Sequence, residues 1–272
     1  MGLHSEFADR LRKLVTENPD IRDEELLGKA LITTAVWRSK VWANTLATLD
    51  THVRAGPFKG MNYIVKSAEG ALLPRLQGVY ERELHPDLIR FAGEDLEAVV
   101  DIGCAEGYYA VGLAMLMPTV TVYAHDIDEV AQRRCGLLAA ENGVADRVTV
   151  GGVFKGDDFE RFVDRRTLIF IDAEGIENEL LDPSLYPALK SLSVIVETHP
   201  MARKGVTERL IDRFSPTHDV VRIDPSITSA EVDPRLSGAS HLDMTLAVWE
   251  WRAGPTPWLV MRPKTWNQNA AG

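Results

Sequence analysis

Nine residues, Val99-Val100-Asp101-Ile102-Gly103-Cys104-Ala105-Glu106-Gly107, constrain this chain more than any other stretch. The β-branched run predicts a buried strand, and the small residues after it predict a tight turn that opens a helix. Gly103 and Gly107 lack a Cβ and Ala105 carries only a methyl, so a ligand could approach the main chain there. The first N–H groups of the helix would then lie beside that ligand, free to donate. A turn whose glycines serve packing alone has the same local sequence. The surrounding chain separates the two readings.

From Glu97 onward strand and helix signals alternate, which predicts a parallel sheet with helices on both faces. Strands are expected near 97–102, 120–125, 147–152, 167–172, 192–197, 219–224 and 243–252. Only a loop, 224–242, separates the last two, so they are expected to pair as an antiparallel hairpin at one edge. The fold class is α/β: a Rossmann-like, seven-stranded, mostly parallel sheet with a terminal antiparallel hairpin and an N-terminal helical extension. Residues 4–54 read as two helices broken at Asn18-Pro19-Asp20. An irregular stretch, 55–78, with a turn at Ala68-Glu69-Gly70, follows as a lid or a connector. The expected division is therefore 1–78 as extension and 79–272 as the main domain.

In open α/β sheets a ligand lies beyond the carboxyl ends of the strands, so the residues leaving each strand carry the chemistry. Asp126 ends the second strand, 23 residues after Gly103, where an acid can accept hydrogen bonds from the ribose hydroxyls of a nucleoside. Asp128 suits the N-cap of the next helix better, leaving Asp126 for the ligand. The fourth exit is Asp172-Ala173-Glu174-Gly175-Ile176-Glu177 and the fifth is Glu197-Thr198-His199-Pro200. A dinucleotide fingerprint wants G-x-G-x-x-G, and this loop lacks the third glycine.

The pattern Asp101-x-Gly103-x-Ala105-x-Gly107 resembles motif I of the class I S-adenosylmethionine-dependent methyltransferases. The two later exits resemble the FkbM-type branch of that family, as does Gly78-Val79-Tyr80-Glu81, and the likeness spans roughly residues 80–200. The resemblance implies that Asp101, Gly103, Ala105 and Gly107 hold the methionine part of the cofactor. It places Asp126 at the ribose, counts the adjoining Ile127 among the cofactor-binding residues, and folds Glu81 over the cofactor. Members of the branch mostly methylate oxygen on small molecules, often sugars or natural products. On this reading His199 is the general base, Asp172 orients cofactor or acceptor, and Glu174 contacts substrate or begins a helix. A divalent cation on Asp172, Glu197 and His199 is a second route to the same chemistry, ranked below the metal-free one. More distant alternatives are a nicotinamide-dependent oxidoreductase and a non-catalytic cofactor-binding module.

Composition narrows the partners. Thirty basic against 40 acidic residues give a net charge of −10 with no Lys/Arg block, which disfavours a nucleic-acid partner. Two cysteines are too few for a disulfide framework and suit a reducing cytosol. The first ten residues lack a signal-peptide core, and Pro118 cuts the apolar stretch 108–124, so a cytoplasmic, membrane-free protein is expected. The partner is then a small-molecule acceptor, with homo-oligomerisation through the N-terminal helices possible. His241 and Asp243 read as a polar hairpin turn near the site mouth, and Trp249 and Trp251 as packing on the final strand.

Overall fold

The computed structural model describes residues 2–65, 71–226, 238–252 and 254–268. Its seven strands are β1 Ala98–Ile102, β2 Thr121–His125, β3 Val148–Gly151, β4 Thr167–Ile171, β5 Ser193–Glu197, β6 His218–Ile223 and β7 Trp258–Pro263. They form one sheet in the order β3-β2-β1-β4-β5-β7-β6. The pairings among β1 to β5 are parallel, while β7 runs antiparallel to both β5 and β6. Helices α5 Tyr108–Leu116, α6 Glu129–Glu141, α7 Glu177–Leu180 and α8 Val206–Phe214 lie between the strands in sequence.

Every residue of β1, β4 and β5 is buried, so these strands read as unbroken apolar runs and not as alternating ones. Successive side chains still part to opposite faces. Val99, Leu168, Phe170 and Ile195 join a core built with α5, and Val100, Ile169, Ile171 and Val194 join a second core with α8. The N-terminal helices are α1 Leu3–Thr16 and α2 Asp23–Leu49, and Ala43 and Leu46 of α2 belong to the first core. Two short helices, α3 Leu72–Gln77 and α4 His85–Ala92, lead into β1. The stretch before α3 is packed inward: Val53, Phe58, Met61 and Tyr63 are buried, with the Phe58 ring 5.2 Å from Tyr108 and 5.7 Å from Tyr109. The expected turn at 68–70 lies outside the described residues. Among the described residues no helix is long and apolar enough to cross a membrane, and the apolar stretch 108–124 divides into α5 and β2.

One expected element is corrected. Residues 243–252 form no strand. Ser240 caps a helix, α9 His241–Ala247, through a reciprocal box in which the Asp243 N–H donates to Ser240 Oγ and the Ser240 N–H donates to Asp243 Oδ2 at 2.9 Å. Arg38 of α2 donates twice to the same carboxylate, at 2.5 and 2.9 Å, and fastens α9 to the N-terminal helices. The antiparallel partner of β6 is the later apolar run Trp258-Leu259-Val260-Met261, set between β5 and β6. A final helix, α10 Lys264–Gln268, follows it.

The strand exits are brought together by Gly103. Its φ is +84°, and a Cβ there would stand 2.0 Å from the Asp172 carbonyl oxygen. The Asp172 N–H donates to Ile102 O at 3.0 Å, so β1 and β4 stay in contact as they leave the sheet. Gly103→Ala is expected to lose about 3 kcal/mol or more from a left-handed backbone and a backbone clash combined. Gly136→Ala, in α6 with open space at its Cβ, is expected to gain up to about 1 kcal/mol. Urea unfolding of both variants against the parent checks the pair.

Candidate functional site

The loop after β1 is tied down through its own N–H groups. Gly103 and Cys104 both donate to His125 O, at 2.8 and 3.0 Å, and Gly107 donates to Cys104 O at 2.8 Å. Ala105, at φ +47°, donates to Asp126 Oδ2 at 2.9 Å. These four loop donors are therefore already bonded within the chain. Gly107 serves packing as well: at φ +96° it caps α5, and a Cβ would meet Cys135 Sγ at 2.8 Å. What the loop presents is its outer surface and the carboxylates around it.

Three cavities meet at the carboxyl ends of β1, β2, β4 and β5. The first is narrow and runs beneath the loop between Asp101, Arg75, Tyr80 and Asp172. Asp101 is 1% exposed, and its Oδ2 has no hydrogen-bond partner. Burial, reinforced by the nearby charge of Asp126, lifts the Asp101 carboxyl to about 8, against the pull of the Ala110 N–H. The second cavity, about 280 Å³, is lined by Asp126, Ile127, Val153, Phe154, Asp172 and Glu174. Asp126 Oδ1 accepts the Asp128 N–H at 2.8 Å, and Asp128 caps α6 as the sequence predicts.

The third cavity, about 460 Å³, contains Glu81, Asp172, Glu174, Glu197, His199 and Arg252 on its walls, with Tyr80 and Trp251 beside them. Both ring nitrogens of His199 face carboxylates. Nδ1 pairs with Glu177, which is fully buried, while Nε2 stands 3.1 Å from Glu197 and 3.9 Å from Asp172. Burial opposes a charge on the ring, yet the hydrogen bonds to Glu177 and Glu197 outweigh it and raise His199 to about 10. Burial likewise opposes ionisation of Glu197, but His199 and Arg252 together pull it to about 2. Asp172 goes the other way: burial and then the charges of Glu197 and Glu81 hold it well above the usual carboxylate range.

Arg252 ties this side of the site together. Nε donates to Glu250 at 2.8 Å, Nη2 to Glu81 at 3.0 Å, and Nη1 to Glu197 and Thr256. Glu81 is 1% exposed, sits at φ +49° and also accepts the Tyr109 hydroxyl. Burial and the charge of Glu197 lift its carboxyl to about 8 against the pull of Arg252.

The structure thus gathers Asp101, Gly103, Ala105, Asp126, Ile127, Asp172, Glu174, Glu81, Glu197 and His199 around connected space. Gly107 lines none of the three cavities, and neither do His241 and Asp243, since Asp243 is spent on Arg38 and Ser240. Trp251, expected on a strand, instead walls the third cavity at φ +66°. Sequence reasoning missed Arg75, Glu250 and Arg252. Arg75 left one signal, a lone charge in the apolar turn Leu72-Leu73-Pro74-Arg75-Leu76, where only a paired or ligand-bound guanidinium is tolerated. Arg252 left none, because its buried partners Glu81 and Glu197 come from two distant segments.

No protein-family model matches the chain, and no curated protein matches it in sequence. Solved structures resemble it partially. The O-methyltransferase from Bacillus cereus in complex with SAH is 13% identical, with 93% of this chain and 96% of that one covered and a TM-score of 0.47. The cofactor-bound protein Rv0187 from MTB is 15% identical over 90% and 99%, with a TM-score of 0.48. The O-methyltransferase TomG from Streptomyces achromogenes, in complex with SAM, is 15% identical over 66% and 80%, with a TM-score of 0.45.

Removing the Arg252 guanidinium leaves Glu81, Glu197 and Glu250 facing one another without it. Arg252→Met is expected to lower unfolding free energy by about 3 kcal/mol at pH 7. Adding Glu81→Gln to that variant is expected to restore part of the loss, which a denaturant double-mutant cycle would read.

Proposed function

We propose that the chain is an S-adenosylmethionine-dependent methyltransferase acting on a hydroxyl of a small molecule. One observation carries the reading: Asp172 lines all three cavities, so a ligand lying along the first two would present its reactive centre where an acceptor in the third can reach it. The residues present fit that cofactor. The unpartnered, buried Asp101 Oδ2 suits an α-ammonium, Asp126 suits ribose hydroxyls, and Ile127, Val153 and Phe154 offer apolar surface to an adenine. A diphosphate fits poorly, because the N–H groups of Gly103, Cys104, Ala105 and Gly107 are already bonded and the flanking side chains are acids.

When bound, S-adenosylmethionine supplies a methyl group on a sulfonium sulfur that departs as a neutral thioether. The protein has to align the acceptor and take its proton. The sequence suggests His199 for that proton, and its surroundings favour another part for it. With a carboxylate at each ring nitrogen His199 is held as imidazolium at neutral pH, and it positions Glu197 and Asp172. Asp172, whose proton affinity is raised by burial and then by the charges of Glu197 and Glu81, is the group we assign to accept the hydroxyl proton, a role it fills only in its ionised form. Glu81 and Arg252 close the far wall of the acceptor cavity.

A second reading is a divalent cation on Asp172, Glu197 and His199, which would lower the acceptor's pKa directly. Its support is that one ligand atom from each residue lies within 4.8 Å of the others, in a cavity where five carboxylates face two cationic side chains.

Asp172→Asn is expected to cut turnover about a thousandfold and His199→Gln about 10- to 100-fold, both with near-normal binding of S-adenosylhomocysteine. Wild-type turnover in Asp172→Asn removes that residue from proton transfer. Activity that vanishes in EDTA and returns with Mg²⁺ or Mn²⁺ puts the metal reading first. Binding should also be linked to pH. Asp101, protonated below about pH 8 when unliganded, must ionise to meet an ammonium, so about one proton is released per cofactor bound at pH 7 and almost none above pH 9. Titration calorimetry in buffers of different ionisation enthalpy measures this, and Asp101→Asn should abolish the release.

A further inference from the structure

We propose that the methyl acceptor is an amphipathic alcohol whose apolar body lies in a cleft between α2 and α9, with its hydroxyl end reaching the third cavity. The inference rests on the methyltransferase reading above and names the class of substrate that site takes. Among the described residues, a further cavity of about 630 Å³ opens between the N-terminal helices and the segment leading to β7. Leu31, Ile32 and Ala35 of α2, Leu242 and Leu246 of α9, and Trp249 supply its apolar walls. Glu250, Arg252 and Gly254 line both this cleft and the third cavity, so the two meet along that segment. A cavity of this size and lining suits a small organic molecule.

Three properties select the occupant. Leu31 and Leu242 are 67% and 63% exposed, large aliphatic side chains left in water on two helices that the Arg38–Asp243 pair holds together. An apolar body covering them removes that contact with water. A free sugar, with a hydroxyl on nearly every carbon, would set polar groups against these walls. The second property is one polar point beside the apolar walls: Glu83 lines the cleft, its side chain is 7% exposed, and its Oε1 has no hydrogen-bond partner among the described residues. Arg252 Nη2 stands 3.8 Å from it, beyond hydrogen-bond distance. A second hydroxyl or an amine on the body would satisfy that oxygen. The third property is charge: in the third cavity five carboxylates face two cationic side chains, so the end of the acceptor that enters it carries no carboxylate.

The test titrates linear primary alcohols, from butanol to decanol, into protein saturated with S-adenosylhomocysteine, and reads tryptophan fluorescence because Trp249 and Trp251 stand on the two walls. Affinity should rise about three- to fourfold per methylene until the cleft is filled. Leu31→Glu and Leu242→Glu, both at exposed positions where the fold tolerates a charge, should each weaken decanol at least about 10-fold and leave S-adenosylhomocysteine binding unchanged. Decylamine should bind at least about 10-fold more tightly than decanoate, and Glu174→Gln, which alters the third cavity and not the cleft, should narrow that gap. Equal affinity for butanol and decanol, wild-type decanol binding in both leucine variants, or decanoate bound as tightly as decylamine overturns the proposal and leaves the methyltransferase reading intact. A dimer in sedimentation that Leu31→Glu or Leu242→Glu splits makes this face an interface between copies and overturns it too. Protein that binds no S-adenosylhomocysteine overturns the methyltransferase reading itself, and the acceptor role of the cleft with it.

Discussion

Two strand ends meet where no side chain fits between them. Gly103 leaves β1 with its α-carbon against the Asp172 carbonyl, and that approach sets both the depth of the loop and the height at which the Asp172 carboxylate stands. The loop then closes on β2 through His125 and Asp126, so three strand exits become one rigid rim. The cavities follow from this rim: one beneath the loop, one outward over Asp126, one toward β5, all touching Asp172.

Within the rim the dominant force is charge held away from water. Acids outnumber cations around the third cavity, and the chain handles the imbalance unequally. Glu197 stays ionised because His199 and Arg252 bond it, whereas Asp172, Glu81 and Asp101 are pushed toward their neutral forms by burial and then by neighbouring carboxylates, Glu197 for the first two and Asp126 for Asp101. Carboxylates with such divergent proton affinities at one junction suit separate tasks in proton transfer and cation binding. The same arrangement gives His199 a carboxylate at each ring nitrogen, which raises its proton affinity.

Much of the fold was legible because its signals are local. The buried strands β1, β4 and β5 are largely apolar runs, and β2, β4 and β5 exit on polar residues, so their positions and the candidates Asp126, Asp172, Glu197 and His199 could be read in order. The seventh strand was misplaced for a local reason too. Trp249-Glu250-Trp251 mimics an alternating strand, but the capping box at Ser240 and the Arg38–Asp243 pair commit the residues before it to a helix. The pairing of Asp243 with a residue 205 positions away has no trace in the neighbouring sequence.

The amino-acid sequence by itself determined the layering of the sheet, the turn after β1 and which acids end the strands, because periodicity and glycine conformational demands act over a few neighbouring residues. Only the tertiary structure decided which donors were already spent, which carboxylates would hold a proton, and that Arg75 and Arg252 stand inside the site. Those outcomes depend on burial and on distances between groups far apart in the chain, and a carboxylate's charge is set by what surrounds it, not by what precedes it.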